Sequence, residues 1–96
     1  MRGGPPQVFT LLGRPDCHLC HVMEEVAVRV LREQGATLVV RDVREDPETD
    51  RRWGGEIPVL LLGSREVARH RVSEGDLRAR VDALRVAGSG SGGAEG

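Results

Sequence analysis

Residues 8–43 hold a strand-type run, a helix-period run and a second strand-type run in succession, and that order leaves few folds open. Val8-Phe9-Thr10-Leu11-Leu12 is short, apolar and rich in β-formers, and Gly13-Arg14-Pro15-Asp16 closes it as a loop. The period then changes. Leu19, Val22, Met23, Val26, Ala27, Val30 and Leu31 recur at spacings of three and four, with charged residues mainly between them. This predicts an amphipathic helix that begins at Cys17 or His18 and stops at Gly35. Ala36–Val43 reads as a second apolar strand. Two strands joined through a helix are expected to lie parallel and adjacent, with a right-handed crossover.

The remainder extends this unit. Asp46-Pro47 offers an N-cap followed by proline at the first helical position, so a short polar helix is expected to about Trp53, where Gly54-Gly55 breaks it. Ile57–Leu62 reads as a strand, Gly63-Ser64 as a two-residue turn, and Glu66–His70 as an antiparallel return. Arg65, Arg69 and Arg71 on that return suit a charge-guarded edge strand. Ser73 with Asp76 resembles a capping box, and Leu77, Val81 and Leu84 share one face of a last helix ending near Val86. The predicted order is βαβαββα, an α/β fold with a four-stranded mixed sheet flanked by three helices. Residues 7–86 form the one domain. Residues 1–6 and 87–96, Gly/Pro-rich and Gly/Ser-rich, have nothing to bury and are expected to be a disordered N-terminus and a flexible tail.

Composition narrows the function. The formal charge is -1, from 14 basic and 15 acidic groups, so no nucleic-acid partner is expected, and every basic residue is Arg. No apolar run is long enough to span a bilayer, and the N-terminus lacks the apolar core of a signal peptide, so no membrane partner and a cytoplasmic location are expected. In that reducing compartment two cysteines three positions apart point to catalysis or metal binding rather than to a permanent staple.

Cys17-His18-Leu19-Cys20-His21 stands at the mouth of the first helix. There the first thiol meets unsatisfied N–H groups and the positive end of the helix dipole, both of which favour thiolate. Cys17 is the expected nucleophile. One helical turn brings Cys20 within bonding reach but further inside, which suits a resolving thiol. His18 either tunes the thiolate or is merely exposed; Arg14 either adds positive potential or is a solvated loop charge. Phe9 is expected in the core, whereas Trp53 is either a partial core plug or a surface contact.

The strand ending in Leu11–Asp16, the Cys17-His18-Leu19-Cys20 motif opening a long helix, the Ile57-Pro58-Val59 segment and the Gly63-centred hairpin together resemble the glutaredoxin-like branch of the thioredoxin superfamily, over Val8 to Leu84. The resemblance implies a thioredoxin-like fold, a cis Ile57-Pro58 bond with Pro58 beside the cysteines, and substrate pairing with the Ile57 backbone. It implies a dithiol-disulfide oxidoreductase that reduces protein or small-molecule disulfides, most simply as a monomer, with a reductase or glutathione as electron donor and no resident cofactor. Two departures bear on glutathione as a co-substrate. Glu56-Ile57-Pro58 stands where glutaredoxins carry Thr-Val-Pro, and Arg69-His70 stands where they carry a Gly pair, so their glutathione site is not matched.

Other readings use the same residues. Cys17-x-x-Cys20-His21 is also the c-type haem attachment pattern, but such a protein needs export, a mainly helical plan and a distant axial ligand. Cys17, Cys20, His21 and His70 make a conceivable zinc set, although no second ligand pair follows at short spacing. The alternative function is a non-catalytic redox-sensing or metal- or iron-sulfur-binding module, and two inert buried thiols are the plainest reading.

Overall fold

The computed structural model describes residues 7–93, with side chains to residue 85. Its elements are β1 (Val8–Gly13), α1 (His18–Glu33), β2 (Thr37–Asp42), a 3-10 turn (Val43–Glu45), α2 (Pro47–Trp53), β3 (Val59–Leu62), β4 (Arg65–Arg69) and α3 (Glu74–Gly93). The sheet order is β2-β1-β3-β4, with β1 parallel to β2 and antiparallel to β3, and β3 antiparallel to β4. This is the expected four-stranded mixed sheet with three helices.

Strand alternation sorts the core into two layers. Phe9, Leu11 and Leu60 point to one face, where they pack with Met23, Ala27, Val30 and Leu31 of α1 and Leu77 and Val81 of α3. Leu12 and Val59 point to the other, joined by Val43 and by partly buried Trp53, Ile57 and Leu61. Trp53 thus caps the smaller layer from the end of α2. It is a partial core plug, with the Arg52 and Arg69 guanidiniums 5.0 and 5.8 Å from its ring centre.

Local chemistry sets the element ends. Gly35 has φ 70°, and Ala36 N–H donates to Leu31 O while Gly35 N–H donates to Arg32 O, the paired bonds that close a helix on a left-handed residue. Asp46 caps α2 by accepting from Thr49 N–H at 3.2 Å, and Ser73 Oγ accepts from Asp76 N–H at 3.1 Å at the start of α3. In the hairpin Gly63 takes φ 62° at the first turn position, a conformation that costs glycine nothing.

The ends differ from the sequence expectation in four places. β2 stops at Asp42, because the Asp42 carboxylate accepts from Arg44 N–H at 2.9 Å and starts the 3-10 turn that takes Val43. β3 begins at Val59 rather than Ile57. β4 runs from Arg65 and ends at Arg69, because His70 turns left-handed at φ 65°, and a register shift opposite Leu60/Leu61 leaves Val67 bulged, so that Val67 and Ala68 are both buried. α3 continues past Val86 to Gly93, into the expected tail, each added residue of a nucleated helix closing a further hydrogen bond. The expected disordered N-terminus, residues 1–6, lies outside the described residues, as do 94–96.

Asp42 gives a local test of the β2 end. Side-chain and backbone hydrogen bonds from Arg44 hold its carboxyl down at about 2. A folded-state value below the unfolded one means that this contribution to stability is present above the ordinary carboxyl range, near ~3.9, and is lost as pH falls towards about 2. A carboxyl-carbon NMR titration is expected to place the Asp42 midpoint at about 2 in the wild type and to raise it towards the ordinary range in Arg44→Ala, which loses the guanidinium and keeps the backbone N–H.

Candidate active site

Cys17 is the N-cap of α1, and its Sγ accepts from Cys20 N–H at 3.2 Å. The sulfur holds the place a serine or aspartate oxygen usually takes, and no acidic residue lies in the first turn to compete for the helix's positive end. Cys17 and Cys20 are joined as a disulfide, with Cα atoms 5.2 Å apart. Cys17 is partly exposed and Cys20 is buried, 5% accessible, so one sulfur can be approached from solvent while the other is sheltered.

The loop ahead of Cys17 is tied to the helix. Cys17 N–H donates to Arg14 O at 3.2 Å, and His21 Nε2 donates to Pro15 O at 2.7 Å. A carbonyl only accepts, so the hydrogen of neutral His21 sits on Nε2. His18 is exposed. The Arg14 guanidinium lies 3.7 Å from the Asp16 carboxylate, both well exposed, so its charge already has a local counter-charge.

Gly13 ends β1 directly against the dithiol. A Cβ there would lie 2.9 Å from Cys20 Sγ and 3.0 Å from Cys20 Cβ, so the position admits no side chain without movement of the bridge. Gly13→Ala is expected to destabilise the oxidised protein by ~1–3 kcal/mol, the range for overpacking a filled interior. Denaturant unfolding of the oxidised and reduced forms checks this, with the smaller loss expected in the reduced form, whose Cys20 side chain can rotate away.

The antiparallel register Leu12↔Val59 brings the next pair, Gly13 and Pro58, to the same end of the sheet as the cysteines. The Ile57-Pro58 bond is cis, and Pro58 is fully buried. Its carbonyl accepts from His70 N–H at 2.8 Å, whereas Ile57 N–H and C=O make no backbone hydrogen bond among the described residues. The two departures noted in the sequence meet here. Glu56 Oε1 accepts from Arg69 Nη1 at 2.9 Å and lies 3.0 Å from His70 Nε2, and Arg69 is also held by Glu66. The sequence showed these residues separately; their pairing depends on the hairpin bringing positions 56 and 69–70 together.

Behind the disulfide is a cavity of about 250 Å3, lined by Leu11, Gly13, Arg14, Pro15, Cys20, His21, Glu24, Val40, Arg41 and Asp42. Sequence reading gave no sign of it, because it forms where the ends of β1 and β2 meet the start of α1. Among the described residues no three His, Cys, Asp or Glu side chains come together in a group that could hold a metal ion. No helix among them is long and apolar enough to cross a membrane.

A family model for a glutaredoxin-like domain (DUF836) matches residues 8–82. No curated protein matches the sequence. Among solved structures, the structural genomics target protein XcR50 from X. campestris is similar with TM-score 0.66 at 28% identity, covering 78% of this chain and 96% of its own. Thioredoxin 1 from Thermosipho africanus TCF52B aligns with TM-score 0.63 at 15% identity, covering 86% of this chain and 99% of its own, and a malarial protein with 0.60 at 19%, covering 82% and 97%. The last two show the fold alone. Fold, family match and the Cys17–Cys20 pair together suggest redox thiol chemistry.

Proposed function

Since the chain belongs to the glutaredoxin-like domain family, we propose that it is a dithiol-disulfide oxidoreductase that reduces disulfides of proteins or small molecules. The observation that carries this reading is the asymmetry of the pair: a partly exposed sulfur at the helix N-cap bonded to a buried one a turn further on. In the reduced protein the Cys17 thiolate, favoured by first-turn N–H groups, attacks a substrate disulfide. One substrate sulfur leaves as thiol and the other stays bonded to Cys17. Cys20 then attacks Cys17 Sγ, the internal disulfide forms, and the second substrate thiol departs.

The unpaired Ile57 backbone groups beside Pro58 are suited to hold an extended substrate strand by main-chain hydrogen bonds. Glu56, Arg69 and His70 engage one another at this place, which favours a protein disulfide over glutathione as the partner and a reductase as the electron donor. No resident cofactor enters the cycle. Such a cycle runs in a reducing compartment, of which the cytoplasm is the simplest case.

The test is equilibration of the purified protein in a series of glutathione redox buffers, with trapping of free thiols by alkylation and measurement of intact mass. A reversible Cys17–Cys20 disulfide with a midpoint in the cellular range, between about -300 and -180 mV, is expected. Thiols that resist alkylation until a chelator is added would instead indicate a metal centre and overturn the reading.

A further inference from the structure

We propose that Glu24 is the general base that takes the proton from Cys20 when Cys20 resolves the mixed disulfide. The inference rests on the dithiol reading above and assigns a chemical role to the cavity behind the disulfide. Thiols attack as thiolates, and Cys20, unlike Cys17, is buried and has no helix N-terminus of its own to favour the anion. Burial beside the apolar side chains of Leu11 and Val40 favours the protonated thiol. A proton acceptor is therefore needed at Cys20, and the cavity is the way to reach it.

The cavity wall holds few candidates. The ionisable residues that line the cavity with Cys20 are Arg14 from the loop after β1, Arg41 and Asp42 from β2, and His21 and Glu24 from α1. The two arginines stay protonated and cannot accept. Asp42 is bonded by Arg44 through Nε at 3.0 Å, Nη2 at 2.8 Å and backbone N–H, and its carboxyl is held down at about 2, which makes it a weak base. His21 donates Nε2–H to Pro15 O and is thereby directed to the loop. Glu24 is half-buried and forms no hydrogen bond or ion pair among the described residues.

Helix geometry aims it. Residues four apart are neighbours, with Cβ atoms ~5–6 Å apart, and helical side chains lean towards the N-terminus, so the Glu24 side chain covers the turn that carries Cys20. Glu24 and Cys20 line the same cavity, which has room for a water between carboxylate and thiol. The step balances. The Cys20 S–H proton passes to the Glu24 carboxylate, Cys20 Sγ attacks Cys17 Sγ, the Cys17–Cys20 bond forms as the bond from Cys17 to substrate breaks, and the departing substrate thiolate takes a proton from Glu24 or solvent.

Stopped-flow reaction of the fully reduced protein with excess 5,5′-dithiobis(2-nitrobenzoate) separates the two steps. The first nitrothiobenzoate released reports attack by Cys17; the second reports resolution by Cys20. With the second phase normalised to the first, Glu24→Gln is expected to slow resolution on the order of 10²-fold, with Glu24→Asp in between. The opposite outcome is well defined. A nearby carboxylate that acts only as a charge keeps Cys20 protonated, so its removal would speed resolution; an equal or faster second phase in Glu24→Gln overturns the proposal. A wild type with no second phase overturns the dithiol reading itself, and this inference with it.

Discussion

Cys17→Ser is expected to reduce disulfide exchange on the order of 10³-fold or more, while Cys20→Ser turns the protein into a trap. The reason for the difference lies in position on α1. Cys17 is the only one of the two sulfurs open to solvent, and its thiolate is the species that first N–H groups of the helix can stabilise. A serine hydroxyl at the same N-cap satisfies the helix equally well, so the fold survives and only the nucleophile is lost. Cys20→Ser leaves the attack intact and removes the resolving thiol. Incubation of this variant with a disulfide peptide, followed by intact-mass measurement without reductant, should show protein plus one peptide thiol, released by dithiothreitol. A Cys17→Ser protein with wild-type turnover would refute the assignment of roles. So would a peptide adduct of the Cys20→Ser protein that survives reductant.

Phe9→Ala is expected to cost ~3–5 kcal/mol, most of the stability of a domain this small. Phe9 is wholly inaccessible and stands on β1, one of two strands paired on both sides, opposite Leu38 and Leu62. Its ring lies in the layer where α1 and α3 meet the sheet, and among two aromatic residues in the chain no other can fill the space, because Trp53 serves the opposite layer. Val8→Ala, one position away on the same strand at a side chain 50% exposed, should change stability by no more than ~0.5 kcal/mol. Urea unfolding of both variants provides the comparison, and similar midpoints for the two would show that the layers are not divided as described.

The contrast between neighbours on β1 also marks what could be read in advance. A βαβ opening, a hairpin and a closing helix follow from period and punctuation, because apolar residues every second or every third and fourth position bury one face whatever the partner. Asp46-Pro47, Gly63-Ser64 and Ser73 are local signals, and the structure uses each where it stands. The bulge at Val67, the left-handed turn at His70 and the extension of α3 to Gly93 are not local signals. Strand pairing decides the first two, and a helix already anchored by Leu77 and Val81 supports the third.

At the site the same division holds. Two cysteines three apart before an amphipathic helix specify a dithiol at a helix mouth, since i and i+3 share a face and the N-cap lies where the period begins. The linear order also contains a proline at the head of a later strand. What it leaves open is the company these residues keep. Glu56 against Arg69 and His70 depends on the pairing of β3 with β4, and the wall that Val40, Arg41 and Asp42 raise across the cavity from Cys20 depends on β2 lying beside β1. Local backbone preference is written in neighbouring residues, and so the chain alone determined the elements and the place of the Cys17–Cys20 pair at the mouth of α1. The pairings of β1 with β2 and β3 join residues tens of positions apart, and only the tertiary structure decided which groups stand around that pair.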